Sequence, residues 1–196
     1  MTDQRRGRSA RDASAPRWSR VVAPVALAVV VVLAGFVWVG RIYTVTTASM
    51  TPTLQPGDRV LAVRIGLDEL RRGDVVVVDV RGTWARPGSA DDPTVVKRII
   101  GLPGERVACC DAQERVTVDG EPLDEPYLAP GGPGPDFDVV VPPGRLWLLG
   151  DDRADSLDSR DHLGSAGGGS VATDTVQGRV VAVAWPPVRP IERPTG

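Results

Sequence analysis

The spacing of apolar and polar positions divides the chain into one long apolar run and a series of short strand-like runs. Residues 21–40, VVAPVALAVVVVLAGFVWVG, carry no charge. A helix rises about 1.5 Å per residue, so this run reaches roughly 30 Å, the thickness of a bilayer core. A cleavable leader has an apolar region of only about 7–15 residues. A helix apolar all round also needs more protein around it than this chain supplies. The run therefore predicts an uncleaved transmembrane anchor with Trp38 at an interface. Thr46-Thr47-Ala48 offers a small-x-small sequence at which a cut would remove it. Beyond the run, Tyr43–Thr47, Arg59–Ile65, Asp74–Val80, Thr94–Ile100, Arg115–Val118, Arg145–Leu149 and Arg179–Trp185 read as strands. Asp119-Gly120 is a hairpin signal, and only Gly66–Leu70 suggests a short helix. Short strands without a long amphipathic helix predict a mostly β fold, an antiparallel sheet with a small β subdomain, preceded by one transmembrane helix.

Composition agrees with strands and turns. The chain has 196 residues, with 22 Gly, 18 Pro and only 5% aromatic residues. It divides into a basic, disordered N-terminus (1–20), the anchor (21–40), a β domain (41–187) with an accessory β region at about 102–144, and a Pro-rich tail (188–196). Gly164–Ser170 reads as a flexible loop. Residues 1–20 hold six arginines against two aspartates, while the whole chain carries a net charge of −2. A basic head on an acidic body argues against nucleic-acid binding, which needs basic residues along a folded face. The same arginines favour a cytoplasmic N-terminus and a β domain on the far side of the membrane. Cys109 and Cys110 are adjacent, so they staple no distant segments, and no His/Cys cluster suggests zinc.

Two residues carry candidate chemistry. The only histidine, His162, lies in "SRDHLGS", and a lone histidine is more often a surface or packing residue than a base. Of the 23 lysines and arginines a single one is lysine, Lys97, in "TVVKRIIGLPGE". Arginine stays protonated and cannot act as a base. Lysine can, if burial lowers its pKa from about 10.4 toward about 7–8. Strand alternation places Lys97 on one face with Val95 and Ile99, and Val96, Arg98 and Ile100 on the other. A lysine between aliphatics is costly unless it is used neutral. Ser49, in "TASMTPTLQPGDRV", is the matching candidate nucleophile. A third stretch, "LLGDDRADSLDSRDHLG", sets Ser156 and Ser159 among acids and arginines, with Asp158 and Arg160 in pairing range.

Taken in order, Ser49-Met50-x-Pro52-Thr53-Leu54, Lys97-Arg98-x-x-Gly101-x-Pro103-Gly104-Glu105 and Gly150-Asp151-Asp152-Arg153-x-x-Ser156-x-Asp158-Ser159-Arg160 resemble the type I (leader) signal peptidases, membrane-anchored Ser/Lys proteases. The resemblance covers roughly residues 20–187. It implies an antiparallel β protease domain that removes signal peptides from exported preproteins after Ala-x-Ala sites at the outer face of the bacterial cytoplasmic membrane. It implies Ser49 as nucleophile, Lys97 as general base, Ser156 as the group that orients the lysine, and Asp158–Arg160 as a site-shaping ion pair. The Ser49 N–H and the Thr47 hydroxyl would hold the oxyanion. Val45, Met50, Leu54, Val95 and Val96 would line small substrate pockets. The implied partners are signal peptides and the lipid bilayer, with no nucleic acid, metal or cofactor. Two positions depart from the pattern: Ala48 stands where glycine is common, and Asp152 where asparagine is usual. The rival readings are a self-cleaving Ser/Lys repressor-type protease and a membrane-anchored β module that only binds exported chains.

Overall fold

A computed structural model describes residues 22, 24–29, 40–84, 93–185 and 187–191. The chain separates into two compact units, Met1–Trp38 and Val39–Gly196. In the first, residues 22 and 24–29 are helical, and Val22, Val25, Leu27 and Val29 are exposed. Most of the expected anchor, all of 1–20 and residues 192–196 lie outside the described residues. Among the described residues no helix is long and apolar enough to cross a membrane.

The second unit is built from antiparallel strands. In chain order they are β1 (Gly40–Thr44), β2 (Arg59–Val63), β3 (Val75–Asp79), β4 (Thr94–Gly101), β5 (Arg106–Cys109), β6 (Thr117–Val118), β7 (Glu121–Pro122), β8 (Phe137–Val140), β9 (Arg145–Leu149), β10 (Val171–Ala172), β11 (Val176–Trp185) and β12 (Arg189–Pro190). The larger sheet runs β1-β2-β11-β3-β4-β9-β10, with β12 beside β11, and a four-stranded sheet runs β7-β6-β5-β8. The Gly66–Leu70 turn is a 3-10 helix over Leu67–Glu69.

β3 shows why the large sheet sits where it does. Its Val-Val-Val-Val run is buried throughout, because both faces of the strand are covered. Val75 and Val77 pack with Val45, Met50, Leu54 and Val60. Val76 and Val78 pack with Ile99, Leu146 and Leu148. Each such valine contributes about 1.5–3 kcal/mol of burial. β4 alternates as its sequence requires: Val95 and Ile99 join the second cluster, and Val96 the first.

The small sheet is closed by the expected hairpin. β6 and β7 pair Val118 with Glu121, and Asp119 and Gly120 take φ of 52° and 87°, the left-handed pair that a two-residue hairpin turn needs. Its core joins Val107, Val118 and Phe137 to Trp147 and Leu149 of the large sheet. Cys109 and Cys110 are bonded to each other.

Several strands escaped the sequence reading: β5, β7, β8, β10 and β12. They run from two to four residues, too short to display a period, and cross-strand pairing holds them. The Gly164–Ser170 loop is tied to neighbouring elements at its end. Trp84 Nε1–H donates to Gly169 O at 2.8 Å, and Arg145 donates to Ser170 O at 2.7 Å.

Candidate active site

β4 and β9 set the site's position. β9 pairs with β4 only from Arg98 to Gly101, where Arg98 faces Leu149. At Gly150 the chain leaves the ladder, so Lys97, paired with Val76 of β3 on one side, has the departing loop in place of β9 on the other. The turn after β1 comes to the same place. It is held by backbone bonds from Val45 to Asp58, Thr51 to Ala48 and Leu54 to Met50, and it carries Ser49.

Ser49 and Lys97, 48 residues apart in sequence, meet here. Lys97 Nζ lies 2.6 Å from Ser49 Oγ, and the two residues are 4% and 7% exposed. Thr47 Oγ1 is 3.2 Å from the same Ser49 oxygen. These groups line a cleft of about 820 Å³ together with Ser156 and Arg160. An amine this buried is costly to keep charged, and the serine hydroxyl is a polar partner beside it.

Ser156 Oγ–H donates to Asp158 Oδ2 at 2.8 Å. Asp158 forms a two-pronged pair with Arg160, Nε–Oδ1 and Nη2–Oδ2 both at 2.8 Å, and it also accepts the Gly150 N–H at 3.0 Å. Burial alone would raise the Asp158 carboxyl pKa. The Arg160 guanidinium, the Gly150 amide and the Ser156 hydroxyl outweigh it and hold the carboxyl below its ordinary value. The Asp158–Arg160 pair expected from sequence is thus a locked unit that fixes the Ser156 hydroxyl.

The apolar residues divide. Val45, Met50, Val95 and Val96 line the cleft. Leu54 is 0% exposed and packs with Met50 in the core, and it is not among the residues that line this cleft. Leu54 N–H bonds back to Met50 O within the turn. His162 is a packing residue. It stacks on Trp84 at 4.8 Å between centroids, and its Nδ1–H donates to Asp158 O.

The sequence reading missed a second charged layer beneath the cleft. Arg98 grips Asp151 at 2.8 and 2.6 Å, and Thr53 Oγ1–H donates to the same carboxylate at 2.5 Å. Arg153 pairs with Glu125, with side chains 0% and 5% exposed. The ring of Tyr127 lies under the Arg98 guanidinium, 3.8 Å from centroid to Cζ. Arg98 had a usable signal, since it lies inside the apolar run of β4 next to Lys97; Asp151, in the loop that follows β9, had only its place in the motif. Glu125 and Tyr127 had none. Asp152, the unusual acid, donates its N–H to Ser49 O at 3.1 Å, and its carboxylate accepts the Asp155 N–H. Among the described residues no group of three His, Cys, Asp or Glu could hold a metal ion.

Residues 17–185 match the family model described as signal peptidase, peptidase S26. A signal peptidase I of Mycobacterium tuberculosis is 31% identical over 83% of this chain and 71% of its own length. One of Bacillus caldolyticus is 34% identical over 83% and 87%. A probable signal peptidase I of Mycobacterium leprae is 29% identical over 86% and 76%.

Proposed function

The chain belongs to the signal peptidase family, peptidase S26, with the function of a signal peptidase I, and we propose that it performs this hydrolysis with a Ser49–Lys97 dyad. The observation that carries the dyad is the 2.6 Å separation of Lys97 Nζ and Ser49 Oγ, both buried. A neutral amine at that separation accepts the hydroxyl proton instead of donating one.

The steps follow from that geometry. Ser49 Oγ attacks the scissile carbonyl carbon while Lys97 Nζ takes its proton. The oxyanion is held by the Ser49 N–H and the Thr47 hydroxyl. The C–N bond breaks, and the Lys97 ammonium returns the proton to the leaving amine, the new N-terminus of the exported protein. Water then attacks the acyl ester, Lys97 takes a proton from it, and the C–Oγ bond breaks with that proton returning to Ser49. Ser156, fixed by Asp158, keeps the lysine oriented. Val45, Met50, Val95 and Val96 limit the substrate side chains to small ones, which suits cleavage after Ala-x-Ala. The edge of β4 ahead of Arg98, along which β9 does not pair, accepts the substrate as an added strand. Residues 21–40 anchor the enzyme in the bacterial cytoplasmic membrane with the catalytic unit outside, where a signal peptide's own helix ends. No metal or cofactor enters the reaction.

The test is cleavage of a preprotein bearing an Ala-x-Ala site by the detergent-purified full chain, beside Ser49→Ala and Lys97→Arg. The expected result is a cut at that site by the parent and none by either variant. Full activity in Lys97→Arg would overturn the dyad, because arginine keeps the charge but cannot accept the proton.

A further inference from the structure

We infer that Glu125 and Tyr127, on the segment that follows the β6–β7 hairpin, are positioning residues for the Ser49–Lys97 pair, so that the small sheet takes part in the reaction by delivering them. This rests on the dyad reading above.

Three buried arginines surround the floor of the cleft, and each is matched to one carboxylate: Arg98 to Asp151, Arg160 to Asp158, and Arg153 to Glu125. The first two carboxylates belong to the loop after β9. Glu125 alone of the three comes from the small-sheet side of the chain. It accepts both Arg153 amino groups and also the Tyr127 O–H, the latter at 2.6 Å. Burial, with the Glu125 carboxylate beside it, pushes the Tyr127 phenol above its ordinary value. The hydroxyl therefore stays a donor throughout the working range of an enzyme.

Each end of this unit reaches a catalytic element. Arg153 Nε–H donates to Gly150 O at 3.0 Å. One residue on, Ala129 N–H donates to Asp151 O, and one further, Asp152 N–H donates to Ser49 O. Holding Arg153 thus holds the loop that meets the nucleophile's own carbonyl. The other end is the Tyr127 ring beneath Arg98. Arg98 adjoins Lys97 on β4, and its Nη1–H donates to Gly73 O at 2.8 Å. Arg160 adds a third tie, donating to Pro133 O and to Arg153 O.

A buried ion pair is a poor way to gain stability, since desolvation cancels much of the attraction. What it supplies is direction: a two-pronged pair fixes the guanidinium plane, and here that plane aims Nε at Gly150 O. Without the Glu125 charge, Arg153, which also lines the cleft, would turn toward water and release Gly150. The reacting atoms would then be displaced without any change in the residues that touch substrate.

The experiment compares kcat and KM for the full-length parent, Glu125→Gln, Tyr127→Phe and Lys97→Arg on one Ala-x-Ala substrate, with thermal unfolding of each. The expected result for Glu125→Gln is a fall in kcat of about 10²-fold, the scale of a small misplacement at a reacting centre, with KM changed less than about twofold. Tyr127→Phe keeps the ring and its volume, so it folds even if Glu125→Gln does not, and it should lose about tenfold in kcat. The inference is overturned if Tyr127→Phe keeps the parent's kcat, or if Glu125→Gln folds with a lower melting temperature but an unchanged kcat. An inactive parent, or a Lys97→Arg variant as active as the parent, would refute the dyad reading instead.

Discussion

Arg98 and Asp151 form a fork-to-fork ion pair whose side chains are 1% and 0% exposed, one residue along β4 from Lys97. Burial lowers the arginine's affinity for its proton, but the Asp151 carboxylate outweighs this and raises it. The guanidinium remains charged inside the protein with this carboxylate as its partner. Asp151→Asn leaves the guanidinium without a counter-charge and should cost about 3–5 kcal/mol. Urea unfolding followed by tryptophan fluorescence measures it. A loss below about 1 kcal/mol, the scale of an exposed pair, would contradict the buried geometry.

Gly150 lies between the backbone of Ser49 and the side chain of Ser156. A Cβ added there would overlap both the Ser49 carbonyl oxygen and Ser156 Oγ. One is backbone and the other is held by Asp158, so neither yields cheaply. Gly150→Ala should therefore lower kcat by about 10²-fold or more. Steady-state kinetics on the full chain test this, and near-parent kcat would show that the loop relaxes freely.

Thr47 Oγ1 is 3.2 Å from Ser49 Oγ on an exposed residue. If it donates to the oxyanion, Thr47→Val keeps the shape and removes the donor. The expected loss is about 10²–10³-fold in kcat with little change in KM. Thr47→Ser should restore most of it. Equal losses in Thr47→Val and Thr47→Ser would assign Thr47 a packing role.

Asp158 gives the pH dependence. Its folded pKa lies below the ordinary 3.8. A depressed carboxyl pKa contributes stability that is present above the unfolded value and is lost as pH falls through the folded value. The parent should therefore lose this contribution only below about pH 4, and Asp158→Asn should be less stable at pH 7 with a flatter acid limb. Denaturation midpoints at pH 7 and pH 3 check both. An equal acid limb in parent and variant would show that other carboxyls govern it.

Local pattern was enough for the parts of the protein that one segment decides alone. The Val-rich runs named the long strands, Asp119-Gly120 named its hairpin, and the unusual chemistry of one lysine in an arginine-rich chain singled out Lys97. Asp158 and Arg160 were legible because they are two residues apart. The short strands β5, β7, β8, β10 and β12 were not, because pairing across the sheet stabilises them and their own sequence does not. The same reason hid the layer beneath the cleft. Arg98 and Asp151 are 53 residues apart, and Glu125 and Arg153 are 28 apart. A buried charge shows itself in sequence only as a polar residue in an apolar run, and its partner is chosen by where the chain returns. Leu54, legible as an apolar residue beside the nucleophile, packs in the core with Met50, Val60 and Val75. The sequence by itself determined which side chains could do the chemistry. The tertiary structure decided which of them meet, because the end of the β9 ladder at Leu149 sends the loop past Lys97 and the turn after β1 brings Ser49 to the same edge.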